Sequence, residues 1–418
     1  MAMSEITRRQ SHPWGVLASR VAAVLVGCVI ASNAIAGTVS YTAVNLGAPP
    51  GADSVVGVRL NNRGQVAGWS QYFGQGEPSI KGWVWSPGTG FEILPPPPGF
   101  FFGRSRAMDI SDTGIVAGDG GFDIGLAWRY ENGVYTVTGD AEGLPIAYLG
   151  GVNDAGDLAG TAKDSQITTS DYGWLDVNGG ALQSLTPLGG RATDLNNHRQ
   201  VCGYFSSPSG FAAYRWDATN GAQPLGTLGL SFSFATRINE SGEVVGYAAS
   251  STGNTRRAWI YSDTEGMREI PSALPNTSAA VSVNRYGHVV GISTRSGLDL
   301  NWLWTGGAGS TDIATLIDTV AENFNILAVR DINDAGQILV QVFDNNVPDY
   351  RMVVLTPIRQ AGDIDGDGDV DVVDRDLFIA VLLGNNTNPV DIQRCDLNGD
   401  SVADGGDAQM FVAALLGM

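Results

Sequence analysis

The chain has 418 residues, with 24 Lys and Arg against 43 Asp and Glu, giving a formal net charge of −19. That length exceeds one typical domain and can bury a sizeable core, while the acidic surplus argues against nucleic acid and anionic membranes as partners. With only 3 His and 3 Cys, neither a disulfide framework nor a zinc site is legible.

The first 36 residues read as an export signal. Arg8, Arg9 and Arg20 flank an apolar run, VAAVLVGCVIA, and Ala34-Ile35-Ala36 forms a small-x-small cleavage site before Gly37. The protein is therefore expected to be secreted or held at the cell surface. A competing reading is a lipoprotein box, LVGC, which would leave a lipidated Cys28, although the apolar core continues past that cysteine.

From residue 37 to 358 the chain repeats itself. The unit is an apolar residue, Asn or Ser, a turn, and a short apolar strand usually closed by Gly. Its copies are LNNRGQVAG (60–68), ISDTGIVAG (110–118), VNDAGDLAG (152–160), LNNHRQVCG (195–203), INESGEVVG (238–246), VNRYGHVVG (283–291) and INDAGQILV (332–340). Asx-x-x-Gly between apolar runs is hairpin chemistry, the Asx side chain capping the turn and Gly taking the positive φ. Cys202 replaces a valine or alanine of the other copies and is expected to be a small core residue.

Each copy leads to a tryptophan-bearing third strand, GWVW, LAWRY, YGWLD, AYRWD, RAWIY or NWLW, and then to a short fourth: FEIL, YTV, LQSL, QPLG, REI or TDIATL. Four strands per unit at this spacing predict an all-β, seven-bladed β-propeller. The seventh unit lacks its fourth strand, whereas VSYTAVNL (39–46) precedes the first unit as a strand without a blade. Pairing the two closes the ring and removes exposed edges. Trp83, Trp85, Trp128, Trp174, Trp216, Trp259, Trp302 and Trp304 recur by register, so most should pack between blades. Over residues 39–357 the unit resembles the bacterial HAF repeat of secreted proteins; the histidine of that motif is absent here, with Arg257-Ala258-Trp259 its nearest remnant.

No nucleophile elbow, phosphate loop or His-Glu-x-x-His motif occurs, so no catalytic residue is assigned. His198 and His288 fall at repeat turns and are expected to be exposed. Asp109, Asp194 and Asp331 share one register, two places before the repeat's Asn or Ser, so a ring could bring them together; a turn or strand-edge role is the plainer reading. The loop Gly90 to Arg104 is irregular, four prolines followed by Phe100, Phe101 and Phe102, and is the candidate surface for a glycan or protein ligand.

At the C-terminus, DIDGDGDVDVVD (363–374) places side-chain oxygens at loop positions 1, 3, 5, 9 and 12: Asp363, Asp365, Asp367, Asp371 and Asp374. Gly368 stands at position 6, and Asp369 at position 7 would give its backbone carbonyl. This is EF-hand spacing, and oxygen-only ligands select calcium. A second copy, DLNGDSVADGGD (396–407), offers Asp396, Asn398, Asp400, Asp404 and Asp407 with Val402 at position 7, but Ser401 replaces the glycine. Two calcium ions are expected, the second bound more weakly.

LFIAVLLG (377–384) and MFVAALLG (410–417) follow the two loops. Both are far shorter than the about 20 apolar residues of a membrane span. Paired calcium loops, each followed but not preceded by a helix, resemble a type I dockerin over residues 361–418. The resemblance implies a small α-helical domain (359–418) that docks to a cohesin-like module, with the recognition pairs at positions 10 and 11, here Val372-Val373 and Gly405-Gly406. The sequence thus describes a secreted binding or structural protein. The alternative is a polysaccharide-degrading hydrolase or lyase, its carboxylates drawn from different blades and delivered by the dockerin.

Overall fold

The structure is a computed structural model, which describes residues 40–417 apart from 74–78, 99–103, 121–125, 139–145, 164–170, 187–188, 209, 273, 275, 296–297, 308 and 318–322. The expected export signal, Cys28, and Phe100, Phe101 and Phe102 lie outside the described residues. The chain divides into two compact units, one spanning Tyr41–Thr356 and the other containing Pro357–Met418.

The first unit is a seven-bladed β-propeller. Among the described residues, 28 strands form seven four-stranded antiparallel sheets, each following chain order except one. In that sheet Phe324–Ile332, Ile338–Asp344 and Asp349–Ile358 are joined by Ser40–Gly47, which pairs with the last of them. The orphan N-terminal strand therefore closes the ring as its sequence predicts. One fourth strand differs from expectation: in TDIATL only Thr311–Asp312 is extended, and Asp312 caps a single 3-10 turn over Ile313–Leu316.

The seven inner strands are Ser54–Leu60, Ser105–Ile110, Ile146–Val152, Gly190–Leu195, Phe232–Ile238, Ser278–Val283 and Phe324–Ile332. Each carries a β-bulge at the same place, between Gly57 and Arg59, Ala107 and Asp109, Leu149 and Gly151, Ala192 and Asp194, Ala235 and Arg237, Ala280 and Ser282, and Val329 and Asp331. A bulge adds a residue on one strand and re-aims the side chains beside it.

Turn asparagines do more than cap. Asn239 Oδ1 accepts from the Glu243 amide at 2.9 Å, closing its own hairpin, while its Nδ2 donates 2.8 Å to the carbonyl of Asn284 in the next blade. The same step runs from Asn196 to Asn239 and from Asn284 to Asn333, and from Asn333 to Asn61 it crosses the closure. The residue before the second strand faces this amide, as Gln65, Asp157, Gln200, Glu243 and Gln337 do. His288 occupies that slot, which corrects its expected exposure: it is 3 % exposed, whereas His198 lies on the surface.

Trp83, Trp128, Trp174, Trp259, Trp302 and Trp304 are buried between blades, and Cys202 is a buried free thiol, both as expected. The fourth blade departs: Tyr214 takes the central aromatic position opposite Gly203, and Trp216 sits two residues further along, opposite Val201.

The second unit contains α1 (Val372–Leu382), α2 (Pro389–Cys395) and α3 (Ala408–Leu415). Phe378 of α1 and Phe411 of α3 stack at 4.4 Å, over Ile364, Val381, Cys395 and Ala408. α2 directly precedes the second loop and corrects the expectation that neither loop has an incoming helix. Its start was written in the sequence, since Asn388 caps it and Pro389 occupies the first turn, where a missing N–H costs nothing. No helix among the described residues is long and apolar enough to cross a membrane.

Candidate functional site

The ring encloses a channel whose throat is built from one register of the repeat. After each bulge comes Arg59, Asp109, Gly151, Asp194, Arg237, Ser282 or Asp331, and all of these but Gly151 line a cavity of about 150 Å³. The three in-register aspartates do converge, and what they meet is a cation. Arg59 Nε lies 2.9 Å from Asp109 Oδ1, and its Nη2 lies 2.8 Å from Asp194 Oδ1. Remaining lone pairs are taken by backbone and hydroxyl donors: Val152 N to Asp109, Ile238 N to Asp194, and Leu60 N and Ser282 Oγ to Asp331. Gly151 leaves the room this needs, because a Cβ there would stand 2.8 Å from Asp194 Oδ1 and 3.0 Å from Asp109 Oδ2.

Burial pushes Asp109 and Asp331 upward against the pull of Arg59. Asp194 is carried to about 7 by burial, the Arg59 charge opposing and the Asp109 charge adding to the rise. The guanidinium is held charged by Asp109 and Asp194 despite its own burial. These carboxylates therefore act as a structural counter-charge. A pair available for hydrolysis would need to exchange protons with substrate and water.

The two mouths of the channel differ. At the hairpin end, Asp112, Asp154, Glu240 and Asp334 share the rim with Asn62, Asn197 and Arg285, joined across blades as when Asn62 Nδ2 reaches Asp112 at 2.7 Å and Asp334 at 2.8 Å. At the end where the inner strands begin, the wall is aromatic and cationic: Tyr148, Arg191, Tyr204, Phe234 and Tyr247. Sequence reading missed this group, because Tyr148, Arg191 and Phe234 precede the marked repeat, Tyr204 and Tyr247 follow it, and neither place keeps a fixed residue type.

The acidic loops of the second unit share one pattern. Asp374, at position 12, accepts the amides of Ile364 and Asp365 on Oδ1 and that of Asp371 on Oδ2. Asp407 does the same with Leu397, Asn398 and Asp404. Positions 1, 3 and 5 accept the amides of positions 4, 5 and 7 in both loops: Gly366, Asp367 and Asp369 in the first, Gly399, Asp400 and Val402 in the second. Position 9 accepts the amide of position 11, Val373 in one and Gly406 in the other. The helices start apart, at Val372 and Ala408, because Gly405-Gly406 stands where the first loop has Val372-Val373.

The loops differ in what they leave open. Carboxylate oxygens of Asp363, Asp365 and Asp374 lie within 4.8 Å of one another, as do those of Asp369, Asp371 and Asp374, an arrangement that could hold a metal ion. Asp363 Oδ2 and Asp369 Oδ1 are buried with no hydrogen-bond partner. Burial carries Asp363 to about 6 and Asp374 to about 7; Asp365 reaches about 8 by burial and the charges of Asp367 and Asp374. Asp369 rises to about 6 for the same two reasons, with Asp367, Asp371 and Asp363 as its neighbours. Packed carboxylates with orphaned oxygens fit a hard cation. In the second loop both oxygens of Asp396 are occupied by backbone amides, and Ser401 is held at φ +72° where Gly368 stands at +98° in the first. That region disfavours a residue with a Cβ.

No protein-family model matches the chain, and no curated protein sequence matches it. Solved structures do. The β-propeller domain of the Trilobed protease from Pyrococcus furiosus superposes with a TM-score of 0.51 at 12 % identity, over 73 % of this chain and 94 % of that one. An acylaminoacyl peptidase in complex with Z-Gly-Gly-Phe-chloromethyl ketone gives 0.51 at 11 % identity, over 73 % and 51 %. The Pyrococcus horikoshii acylaminoacyl peptidase gives 0.48 at 13 %, over 72 % and 52 %. The chain spans about half the length of the two peptidases. At these identities the likeness is one of fold.

Proposed function

We propose that the chain is a secreted binding protein whose propeller presents a ligand mouth, and whose residues 359–418 form a dockerin-like module. That module folds around two calcium ions and docks to a cohesin-like or cell-surface partner. The observation that carries this reading is the bond-for-bond equivalence of the two loops around Asp374 and Asp407, with unsatisfied buried oxygens in the first. Asp363, Asp365, Asp367, Asp371 and Asp374, with the Asp369 carbonyl, supply the six or more oxygens that calcium takes. Val372 and Val373 at the head of α1 are 57 % and 47 % exposed, which suits a partner contact.

The polysaccharide hydrolase or lyase reading draws on the converging aspartates. Their engagement by Arg59 and backbone amides favours binding over that chemistry. The docking reading is tested by passing the full-length protein over immobilised type I cohesin modules. Retention in calcium that is lost in chelator supports it. Equal retention in both buffers, or none on any module while calcium still binds, would overturn the partner assignment.

A further inference from the structure

The aromatic mouth holds a cavity of about 380 Å³, inside the roughly 300–1,000 Å³ range of small-molecule sites. Its wall is continuous: Phe234 stacks on Tyr247 at 5.0 Å and meets Tyr204 edge-on at 4.9 Å. Tyr148 is 45 % exposed beside it, with Arg191 lying 5.6 Å from its ring centre. Flat rings left accessible at a cavity add little to the core and are suited to stacking on a ligand.

One guanidinium faces this cavity without an anion. Arg237 occupies the same register as Arg59 and lines both cavities. Arg59 takes Asp109 and Asp194, whereas Arg237 makes no ion pair among the described residues. Its Nη1 donates to the Thr236 carbonyl at 2.8 Å, and its Nε is buried with no hydrogen-bond partner. Arg237 is half-buried, and a guanidinium nitrogen hidden from water without a counter-charge is costly, a cost that an incoming anion relieves. Hydroxyls supply the remaining chemistry. Thr161, Thr193 and Thr236 each donate to a backbone carbonyl, of Ala192, Ala235 and Ala280, so their lone pairs are left to accept from a ligand.

Stacking faces, hydroxyl acceptors and one unpaired cation together describe a ring that carries both hydroxyls and a carboxylate. We propose that the aromatic mouth binds a carboxylate-bearing sugar, a uronic acid residue, with its carboxylate at Arg237 and its ring against Tyr148 and the Tyr204–Phe234–Tyr247 wall. This deepens the reading of the propeller as a binding unit and rests on it. The acidic hairpin mouth repels the same ligand, so entry is from one end.

Calorimetric titration of the full chain with a galacturonate trimer, a neutral galactose trimer of the same linkage, and inorganic phosphate tests the inference. The galacturonate trimer is expected to bind at least about tenfold more tightly than the neutral one, the scale of a charge-assisted contact. Arg237→Gln should abolish that preference, and Tyr148→Ala, at an exposed ring, should weaken the galacturonate trimer without changing the melting temperature. Equal binding of both trimers would overturn the anionic assignment and leave sugar binding standing. Phosphate binding as tight as the galacturonate trimer would overturn the sugar assignment. No binding of either trimer, or an unchanged preference in Arg237→Gln, would overturn the inference, while retention on cohesin modules decides the docking reading separately.

Discussion

Val340 lies directly opposite Val353 in the closing blade, at the position where each of the other six blades sets a glycine against an aromatic ring. The six pairs are Gly68 with Trp83, Gly118 with Trp128, Gly160 with Trp174, Gly203 with Tyr214, Gly246 with Trp259, and Gly291 with Trp302. The ring lies flat on the neighbouring strand, where a Cβ at Gly160 would stand 2.5 Å from Trp174 Cζ2 and 2.6 Å from the Tyr148 carbonyl. Gly160→Ala should therefore cost about 3 kcal/mol, the upper end for overpacking. Val353→Trp should be damaging alone, and Val340→Gly in the same chain should recover part of the loss. Chemical denaturation of the single and double variants measures that coupling; strict additivity would show that the two positions do not share one volume.

The asparagine ring has one gap. Ser111 stands where its neighbours have Asn, and its Oγ is engaged with Thr113 at 2.8 Å and the Ile115 amide at 3.1 Å within its own turn. Ser111→Asn should bridge to the Asn153 carbonyl and raise stability by about 0.5–1 kcal/mol, the net worth of one hydrogen bond. Asn239→Ala should lower it by about 2 kcal/mol, since buried partners are left unmet. Thermal melts of the two variants should move in opposite directions.

Arg59→Met removes the cation from three buried carboxylates and should cost about 3–5 kcal/mol at neutral pH. The deficit should depend on acidity. With the cation gone, the folded-state pKa values of Asp109, Asp194 and Asp331 rise further above their unfolded value of about 3.9. Stability from such groups is fully present at low pH and is lost as pH rises through the folded pKa. The difference between variant and parent should thus grow from pH 4 to pH 8, and a deficit independent of pH would argue against this account of the throat.

The first acidic loop should link calcium to protons. Asp363, Asp365, Asp369 and Asp374 have folded-state values between about 6 and 8, so without calcium the module's stability falls as pH rises from 4 to 8. Calcium requires the ionised forms, so its binding near pH 6.5 should release about two protons per ion. Calorimetry in buffers of different ionisation enthalpy gives that number. Asp363→Ala should lower calcium affinity more than Asp396→Ala, because the second loop starts from a strained Ser401 and an already satisfied Asp396.

Much of the ring was legible because its information is repetitive: blade number, strand number and the closing strand all follow from spacing. The glycine-to-aromatic pairing was also within reach, since INDAGQILV is the copy without a closing glycine and its unit is the one without a tryptophan. The throat was half legible. Asp109, Asp194 and Asp331 stand in one column, but Arg59 in the same column of the first copy had to be read as their partner, and only ring closure brings residues 135 positions apart to 2.8 Å. His288 was misplaced because a turn position in sequence says nothing about which neighbour covers it. The aromatic mouth was not legible, since Tyr148, Tyr204, Phe234 and Tyr247 come from first and second strands of three blades and converge only through curvature.

The closing sheet ties Thr42 Oγ1 to the Thr356 carbonyl across 314 positions of sequence. Every other sheet is assembled from neighbours in the chain, so blades can form one after another as the chain emerges, and the seam must wait for the last of them. Loop-closure entropy grows only logarithmically, adding about 2 kcal/mol over a contact spanning one repeat. The larger burden is one of timing. Until the final strand arrives, Ser40–Gly47 and Ile338–Asp344 each lack the strand that pairs with them, so a chain stalled before residue 349 would carry two exposed templates for aggregation. A circular permutant opened at a hairpin tip inside any other blade would move that waiting period elsewhere in the ring. Its refolding yield against that of the parent would show how much of the folding hazard resides in the seam.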